Sequence, residues 1–360
     1  MKKRRIFLSF AISLFFLYLI IWKPQISELF KGNIDIKDGL FGVTRIDFEQ
    51  AWVYLQQAAI LPLVICFLIT PIHVLVRAHR WKLLIEPVDE LKTKDSFSIQ
   101  MLGYFANTIF PLRIGEVAKG FLLSRKTGLK ISTSLATVVL ERILDVISLL
   151  IIIAVLGLVY EFPESLREGA ILLGLFSVIG LGGVVYYAMK RDPLSGLTGR
   201  ILNIFPSFIA DKLRKILLGF VKGFGMIRSV KRYPTVLMET CILWILYALQ
   251  EYVVLIAFDI PAKFPLLGES PVMATFIILA VTAAILSIPS APGGIGSFHA
   301  AVIFSLALFE VGVDTAAGYA FILHSITVGF YLIFGMVILW IEGLKLTELK
   351  EIGTDGINQG

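Results

Sequence analysis

The sequence predicts an all-α integral membrane protein with about six full crossings and two re-entrant helical hairpins in an inverted repeat. Three observations support this fold class. Hydrophobic residues make up 57% of the 360-residue chain and charged residues only 17%, which is too little polar surface for a soluble domain. Several uncharged stretches reach the ~20 residues that a helix needs to cross a bilayer. Basic residues are concentrated in alternate loops, as the positive-inside rule requires.

Six stretches have the length and apolar character of full crossings. They are 6–22, 51–76, 132–159, 169–189, 235–258 and 315–341. The first stretch follows four basic residues, but no small-residue cleavage site comes after it and it ends in Trp-Lys-Pro. We therefore interpret it as a retained helix with an interfacial anchor and not as a signal peptide.

The basic residues orient these crossings. The loop after the second crossing holds five of them: Arg77, Arg80, Lys82, Lys92 and Lys94. The segment 190–232 is the most basic of the chain, whereas 23–50, 160–168 and 259–270 have no basic excess. The positive-inside rule places the basic loops and both termini in the cytoplasm. Orientation thus explains the net charge of +6 better than binding to nucleic acid does.

Two stretches do not fit as simple crossings. Residues 97–131 contain an apolar run and then charged residues, with cytoplasmic signatures on both flanks. Residues 270–309 contain no formal charge and are broken by prolines and glycines. Each stretch predicts a re-entrant hairpin, the first entering from the inside and the second from the outside. The halves 51–159 and 235–341 then share one plan in opposite orientations, which is the inverted repeat of many transporters.

A linker at about 195–232 separates the two halves. Within it, apolar residues alternate with lysines and arginines between 201 and 229. This pattern is typical of an amphipathic helix that lies on anionic lipid headgroups at the cytoplasmic face. A solvated helix that packs on the inner loops explains the pattern equally well, so both interpretations stay open.

Nothing in the sequence indicates enzyme chemistry. Cys66 and Cys241 lie in apolar segments without ligand spacing, so we expect two small buried hydrophobic residues and neither a disulfide nor a zinc site. The sequence shows no nucleophile beside a base and no nucleotide-binding loop. We expect no catalytic residue, no metal and no cofactor.

The first candidate site is the motif Pro-Leu-Arg-Ile-Gly-Glu at the turn of the first hairpin. Gly115 permits a close approach of the backbone. If the turn is helical, Arg113 and Glu116 share a face and can pair. An arginine held in this way suits a phosphate group, because its planar guanidinium donates two charge-assisted hydrogen bonds.

The second candidate is the group Glu141, Arg142 and Asp145 on the next crossing. Ionisable groups at membrane depth cost about 2.5–3.5 kcal/mol each on insertion scales, so each needs a partner or a wet cavity. Two interpretations stay open. The group neutralises Arg113 or binds a cationic headgroup, or it is an internal salt-bridge network that fixes the hairpin to the crossing.

The third candidate is the glycine-rich turn of the second hairpin, and it contains Gly293, Gly294, Gly296, Ser297 and His299. A helix that begins near Ser297 would point unpaired main-chain amides at an anion. A simple hairpin turn would account for the glycines but not for the adjacent histidine.

Two further residues are candidates for a proton relay. Glu251 and His324 each lie alone within a crossing. For His324, hydrogen-bonded packing is the favoured alternative, because a single membrane histidine more often has that role.

Three motifs resemble the transmembrane flippase domain of the lysylphosphatidylglycerol synthase family, also called the multiple peptide resistance factor family. They are Arg113-Ile114-Gly115-Glu116, Glu141-Arg142-Ile143-Leu144-Asp145 and Pro292-Gly293-Gly294-Ile295-Gly296-Ser297-Phe298-His299. Their order and separation cover about residues 97–342. The resemblance implies two re-entrant hairpins around a central lipid-accessible cavity, and movement of a phospholipid or another lipid-linked headgroup between leaflets.

The sequence departs from the family pattern in two respects. Position 299 is histidine where the family often has glutamate, so a charge at this position would depend on pH. The chain also ends at Gly360, soon after its last crossing, and we expect no aminoacyltransferase domain.

We therefore expect a single flippase-like domain at 1–345 and a short cytoplasmic tail at 346–360, in the inner membrane of a prokaryote. Arg113 is expected to bind the lipid phosphate, and the turn at 292–299 to form the outer half of the site. The expected pairing and gating charges are Glu116, Glu141, Arg142 and Asp145. The expected partners are membrane lipids with an anionic phospholipid or polyprenyl phosphate headgroup, and a homo-oligomer stays open.

Two alternative functions remain at this point. One is a membrane-embedded accessory subunit or transferase partner that acts on polyprenyl-linked sugars. The other is a transporter of a small solute or ion, whose cavity would be closed to lipid on its sides. The sequence does not name the headgroup, the direction of transport or its energy source.

Overall fold

The computed structural model describes residues 35–41, 48–87, 89–160, 232–287 and 291–349, together with positions 15, 18, 21–22, 25, 28–29, 175 and 179. The regular elements of this part of the chain are all helices, as the sequence predicts. They are α1 (Ile36–Phe41), α2 (Phe48–Gln57), α3 (Ile60–Ile85), α4 (Thr93–Ile109), α5 (Ile114–Thr127), α6 (Ile131–Val159), α7 (Tyr233–Ala257), α8 (Ile260–Lys263), α9 (Pro265–Gly268), α10 (Pro271–Ser287), a 3₁₀ turn (Pro292–Gly294), α11 (Ser297–Ala307) and α12 (Val313–Ile341).

Among these described helices, four are long and apolar enough to cross a membrane, namely α3, α6, α7 and α12. The bounds of α6, α7 and α12 agree within two residues with the crossings predicted at 132–159, 235–258 and 315–341. The chain is therefore a multi-pass membrane protein. The crossings predicted at 6–22 and 169–189 and the amphipathic linker fall almost wholly outside the described residues.

The crossing predicted at 51–76 is displaced. The chain breaks after α2, and α3 then continues from Ile60 to Ile85. Arg77, Arg80 and Lys82 consequently lie within a membrane-length helix, and their assignment to a loop was wrong. The helix continues through the two arginines because acidic side chains neutralise them, as described below, so that their charges do not meet hydrocarbon.

Both predicted hairpins consist of two short helices joined by a turn. The first pairs α4 with α5, and the second pairs α10 with α11. The four helices have 17, 14, 17 and 11 residues, and each is shorter than the ~20 residues of a full crossing. The breaks in the helices are confirmed, whereas re-entry and the inverted repeat stay predictions.

The helices group into two compact units. The first unit comprises Met1–His73, Met101–Gly115 and Trp244–Asp355, and the second comprises Val74–Gln100, Glu116–Leu243 and Gly356–Gly360. In the first unit, the rings of Tyr104 and Tyr331 stack with centroids 4.5 Å apart, which packs α4 against α12. In the second unit, the hydroxyl of Ser96 donates a hydrogen bond of 2.6 Å to the carbonyl of Ala78, which joins α4 to α3.

The two cysteines occupy different environments. Cys66 on α3 is buried, as expected, and Cys241 on α7 is exposed. The prediction of a buried side chain was therefore wrong for Cys241. Both thiols are free, and the described residues contain no group of three or more side chains that is suited to hold a metal ion.

Candidate functional site

The predicted site residues fall into two groups, one in each unit. The group in the second unit is a connected set of ion pairs between α3, α5 and α6, which we call the charged cluster. Its members are Arg77, Arg80, Glu116, Lys119, Glu141, Arg142 and Asp145. Four of these side chains are basic and three are acidic.

Glu141 is the centre of the charged cluster. One carboxylate oxygen lies 2.6 Å from Nε of Arg77 and the other 2.5 Å from Nζ of Lys119. The side chain of Glu141 is fully buried, that of Lys119 is almost fully buried, and that of Arg77 is mostly buried. Loss of one partner from such a group leaves an uncompensated buried charge, which costs on the order of 3–5 kcal/mol.

Asp145 joins the arginines of two helices. Its carboxylate accepts a hydrogen bond of 2.6 Å from Nη2 of Arg80 and another from Nη2 of Arg77, both on α3. Nη1 of Arg142, one helical turn earlier on α6, lies 3.3 Å from the same carboxylate. Glu141 and Asp145 therefore share a helix face, as their spacing predicts.

The pair of Arg142 and Glu116 lies at the edge of the charged cluster. Nε of Arg142 donates a hydrogen bond of 3.2 Å to Oε2 of Glu116, and Nη2 lies 3.0 Å from Oε1 of the same carboxylate. A hydrogen bond between two charged groups is stronger than one between neutral groups. This pair joins the start of α5 to α6. That is the role which the salt-bridge interpretation assigns to the group.

Sequence reasoning missed Arg77 and Arg80. Both were assigned to a cytoplasmic loop because they follow an apolar run. A signal was nevertheless present in the spacing. Arg77 and Arg80 are three residues apart, and Glu141 and Asp145 are four apart on another apolar helix, so each pair lies on one face of its helix. Intramembrane acids need nearby bases, and these two arginines are among the bases that pair with Glu141 and Asp145.

The group in the first unit centres on residues 291–297, which we call the glycine turn. Gly293, Gly294 and Gly296 adopt positive φ angles of 65°, 73° and 84°, a region that residues with a β carbon adopt only at a cost. Helix α11 begins at Ser297, as predicted. The first amides of α11 therefore lie at the end of the glycine turn.

Two buried polar atoms beside the glycine turn have no hydrogen-bond partner, namely Oγ of Ser297 and Nδ1 of His299. The ring of His299 lies 4.9 Å from that of His324, centroid to centroid. Nε2 of His324 is 2.8 Å from the carbonyl oxygen of Gly293 and donates to it. His324 therefore forms a hydrogen bond to the glycine turn, and its predicted relay role stays a prediction.

Arg113 lies at the turn of the first hairpin and reaches the second hairpin. Nη2 of Arg113 donates a hydrogen bond to the main-chain carbonyl of Leu286, one residue before the end of α10. The carbonyls of a last helical turn have no partner within the helix, and a cation at this end also interacts favourably with the helix dipole. Arg113 thus caps α10.

The turn around Arg113 is not helical. Leu112 and Arg113 have φ angles of 65° and 54°, and α5 begins only at Ile114. The condition for a helical pair between Arg113 and Glu116 is therefore not met. Glu116 forms an ion pair with Arg142. The left-handed backbone here costs roughly 1–2 kcal/mol per residue with a β carbon.

The turns of the two hairpins contact each other within the first unit. A methyl group of Leu286 lies so close to Gly294 that a β carbon there would come within 2.6 Å of it. Gly293 faces Thr108 at the end of α4, whose carbonyl oxygen would lie 3.7 Å from a β carbon at position 293. Leu286 therefore touches both Arg113 and the glycine turn.

Glu251 has packing partners of its own. Its carboxylate lies 3.4 Å from the hydroxyl of Thr282, and its carbonyl accepts a hydrogen bond of 2.9 Å from Tyr319. The second carboxylate oxygen is buried without a hydrogen-bond partner. These contacts join α7 to α10 and α12 and leave the predicted relay role of Glu251 as a prediction.

The chain is similar to a known family of membrane proteins. The sequence model of the lysylphosphatidylglycerol synthase TM region matches residues 6–335. A UPF0104 membrane protein of Methanocaldococcus jannaschii is 26% identical over 254 residues, which are 69% of this chain and 97% of that protein. No solved structure matches the chain.

Two further archaeal relatives are similar over comparable lengths. A UPF0104 membrane protein of Pyrococcus horikoshii is 25% identical over 287 residues, 74% of this chain and 82% of the relative. One of Methanothermobacter thermautotrophicus is 23% identical over 282 residues, 74% of this chain and 79% of the relative. The similarity thus extends over most of each relative.

Proposed function

Because the chain belongs to the family of the lysylphosphatidylglycerol synthase TM region, we propose that it is a flippase that moves a phospholipid or another lipid-linked headgroup between the leaflets of the cytoplasmic membrane. The observation that carries the proposal is the contact of the two hairpin turns in the first unit. Non-helical backbone at membrane depth is tolerated only where it is buried in protein or lines a wet cavity. Transporters place their sites where such broken helices meet.

The chemistry at this contact suits an oxyanion. Arg113 supplies a guanidinium, Ser297 supplies a buried hydroxyl without a partner, and the first turn of α11 supplies main-chain amides. Phosphate is the anionic group that membrane lipids and polyprenyl carriers share. In the proposed mechanism, the lipid phosphate replaces the carbonyl of Leu286 as the acceptor for Arg113.

Replacement of that carbonyl by the lipid phosphate favours entry of the headgroup into the site. In the resting protein, Arg113 neutralises the end of α10. When a phosphate binds, the same guanidinium exchanges a neutral acceptor for a charged one, and charge-assisted hydrogen bonds are roughly twice as strong as neutral ones. The charged cluster in the second unit acts as a fixed scaffold in this proposal, because its acids and bases are already paired.

The orientation that we propose from the basic loops is consistent with this function. Both termini and the basic segments face the cytoplasm, so a headgroup that is made inside the cell reaches the first hairpin from that side. The proposal requires no nucleotide. Headgroup transfer down a gradient of lipid concentration suffices for it.

The proposal is tested with the purified chain in liposomes. Transbilayer movement is measured for fluorescent phosphatidylglycerol and for a fluorescent polyprenyl phosphate, in wild type and in Arg113→Ala. We expect faster movement of at least one of the two lipids and its loss in the variant. No acceleration of either lipid by folded wild-type protein would overturn the proposal and favour an accessory subunit.

Two matched variants separate binding from folding. Arg113→Lys keeps a cation that can cap α10 but lacks the planar fork that binds phosphate through two hydrogen bonds, so we expect near-normal stability and reduced transport. Arg125→Ala removes an exposed arginine at the end of α5 and is expected to transport normally. Equal loss in Arg113→Ala and Arg125→Ala would remove Arg113 from the site.

A further inference from the structure

Glu251 is a buried acid that the proposed oxyanion contact does not use. It lies on α7, six residues before the helix ends at Ala257, which is about 9 Å at 1.5 Å per residue. The residue is 6% exposed. Because α7 is long and apolar enough to cross a membrane, this carboxyl is an ionisable group inside a membrane-crossing helix of the first unit.

Glu251 differs from the acids of the charged cluster in its lack of a cationic partner. Glu141 lies 2.6 Å from Nε of Arg77 and 2.5 Å from Nζ of Lys119. By contrast, no lysine, arginine or histidine among the described residues forms an ion pair with Glu251, and its Oε2 is buried without a hydrogen-bond partner. A charged carboxylate is very costly in such a place, so the group is neutralised by a proton instead.

The contact between Glu251 and Thr282 fits the protonated form. A threonine hydroxyl has one proton to donate and two lone pairs that accept. Oγ1 of Thr282 lies 2.8 Å and 3.0 Å from the carbonyl oxygens of Ile278 and Leu279. Oε1 of Glu251 is further away, at 3.4 Å. The hydroxyl proton is thus directed at the main chain, and the lone pairs are left to accept a hydrogen bond from a protonated Glu251.

Among the described residues, the helices around Glu251 place no charged group beside it. Helix α10 contains no ionisable residue. On α12, the hydroxyl of Tyr319 donates a hydrogen bond of 2.9 Å to the main-chain carbonyl of Glu251, whereas His324 is bonded to the glycine turn. Helix α3 contributes the buried thiol of Cys66, which lies near Tyr319. A phenol and a thiol are uncharged near neutral pH, so neither replaces the proton on Glu251.

Thr282 connects Glu251 to the contact of the two hairpin turns. It precedes Leu286 by one turn of α10, and the carbonyl of Leu286 accepts the hydrogen bond from Arg113. A negative charge on Glu251 would repel an oxyanion at this end of α10, and the repulsion is strong where water is excluded. A proton on Glu251 removes it. By linkage, a bound anion favours the proton in return.

We propose that Glu251 is a proton-binding site of the first unit, and that the bound proton favours an anion at the contact of the two hairpin turns. The proton comes from water and converts the carboxylate to a neutral carboxyl, and no other bond changes. The first part of the proposal is independent of the proposed function, and the second part rests on it.

Infrared spectroscopy of the purified chain at neutral pH tests the first part. A protonated carboxyl has a C=O stretching band that is separate from those of carboxylates and shifts in heavy water. We expect this band in wild type and its loss in Glu251→Gln, which keeps the shape of the side chain. Glu269→Gln removes an exposed carboxylate just before α10 and should keep the band. A band that persists in Glu251→Gln, or that is absent from wild type, would overturn the proposal.

Thr282→Val tests the contact between Glu251 and Thr282. Valine has nearly the shape of threonine but cannot accept a hydrogen bond. We expect the band to remain and to move to higher wavenumber, because the carboxyl loses its acceptor. Thr282→Ser keeps the hydroxyl and should show the wild-type band. An unchanged band in Thr282→Val would contradict donation from Glu251 to Thr282.

The rate of lipid movement in liposomes tests the second part. With equal pH on both sides, we expect the wild-type rate to fall as pH rises through the ionisation of Glu251, by up to about ten-fold per pH unit for one proton. Glu251→Gln cannot ionise, so its rate should lack this step. A wild-type rate that is independent of pH, or the same step in Glu251→Gln, would overturn the second part.

These measurements separate the proton site from the proposed function. If the band is lost in Glu251→Gln but wild type moves no lipid, the proton site stands and the proposed function fails. If wild type moves lipid but lacks the band, the proposed function stands and the proton site fails.

Discussion

Arg113 donates a hydrogen bond to the main-chain carbonyl of Leu286, 173 residues further along the chain. This bond joins the turn of the first hairpin to the end of α10 in the second. The neighbouring contacts of Gly293 and Gly294 with Thr108 and Leu286 have the same effect. The two turns are therefore in direct contact, as in the proposed site shared by two broken helices.

The first prediction concerns the centre of the charged cluster. Glu141→Gln removes the charge that neutralises Arg77 and Lys119 while keeping the shape of the side chain. We expect the free energy of unfolding to fall by on the order of 3–5 kcal/mol, because two cations lose their buried partner. Chemical unfolding in detergent measures this loss.

A control and a double variant make this prediction specific. Asp95→Asn breaks a more exposed pair with Lys126, whose side chain is 43% exposed, and is expected to cost about 1 kcal/mol or less. Lys119→Met combined with Glu141→Gln should cost less than the sum of the single changes, because the two residues interact. Equal effects of Glu141→Gln and Asp95→Asn would contradict the structural role of the charged cluster.

The second prediction concerns the close approach of α5 to α4. The amide of Gly115 donates a hydrogen bond of 2.8 Å to Oδ1 of Asn107, and a β carbon at position 115 would collide with the carbonyl oxygen of Gly103. Gly115→Ala must push the two helices apart, and we expect a loss of about 1–3 kcal/mol of stability.

Gly329→Ala is the matched substitution for Gly115→Ala. Gly329 lies inside α12, and a β carbon there would meet nothing within 4 Å. Alanine is the better helix former, so this variant should gain roughly 0.5–1 kcal/mol. Opposite signs for the two variants in the same unfolding experiment would confirm the close packing at Gly115, and a gain for both would refute it.

The positions that could be predicted from the sequence are those governed by local pattern. The long apolar runs that form most of α6 and α12 identify those helices, because a helix needs about 20 mainly apolar residues to cross a bilayer. The start of α11 at Ser297 follows from the glycines before it. Spacing along one helix likewise places Glu141 and Asp145 on one face.

The parts that escaped prediction depend on partners far away in the sequence. Arg77 and Arg80 end an apolar run if they are considered alone, and they extend a helix once Glu141 and Asp145 neutralise them. A pair between Arg113 and Glu116 was predicted only for a helical turn, and the left-handed backbone at Leu112 and Arg113 does not meet that condition. Neither partner choice is encoded in local spacing.

The third prediction tests the glycine turn. Gly294 and Gly343 have similar positive φ angles of 73° and 64°, but only Gly294 has a neighbour, Leu286, where a β carbon would lie. Alanine at either position should cost about 1–2 kcal/mol through backbone strain. Gly294→Ala must in addition move Leu286, the acceptor for Arg113.

Transport therefore distinguishes these two glycine variants. We expect Gly343→Ala to flip lipid at the wild-type rate once folded, and Gly294→Ala to lose most of its activity. The measurement is the rate of lipid movement per folded protein in liposomes. Equal rates in the two variants would show that the glycine turn does not contribute to the site.

The last prediction asks whether His324 relays protons or holds the glycine turn. Its Nε2 donates to the carbonyl of Gly293, so His324→Phe removes a hydrogen bond, and we expect a loss of about 1 kcal/mol of stability. His324→Gln retains an N–H donor and should lose less. If the residue only packs, both variants keep the wild-type dependence of transport rate on pH, since the groups that titrate are elsewhere. Loss of one titration step in both variants, with stability unchanged, would instead assign His324 to a relay.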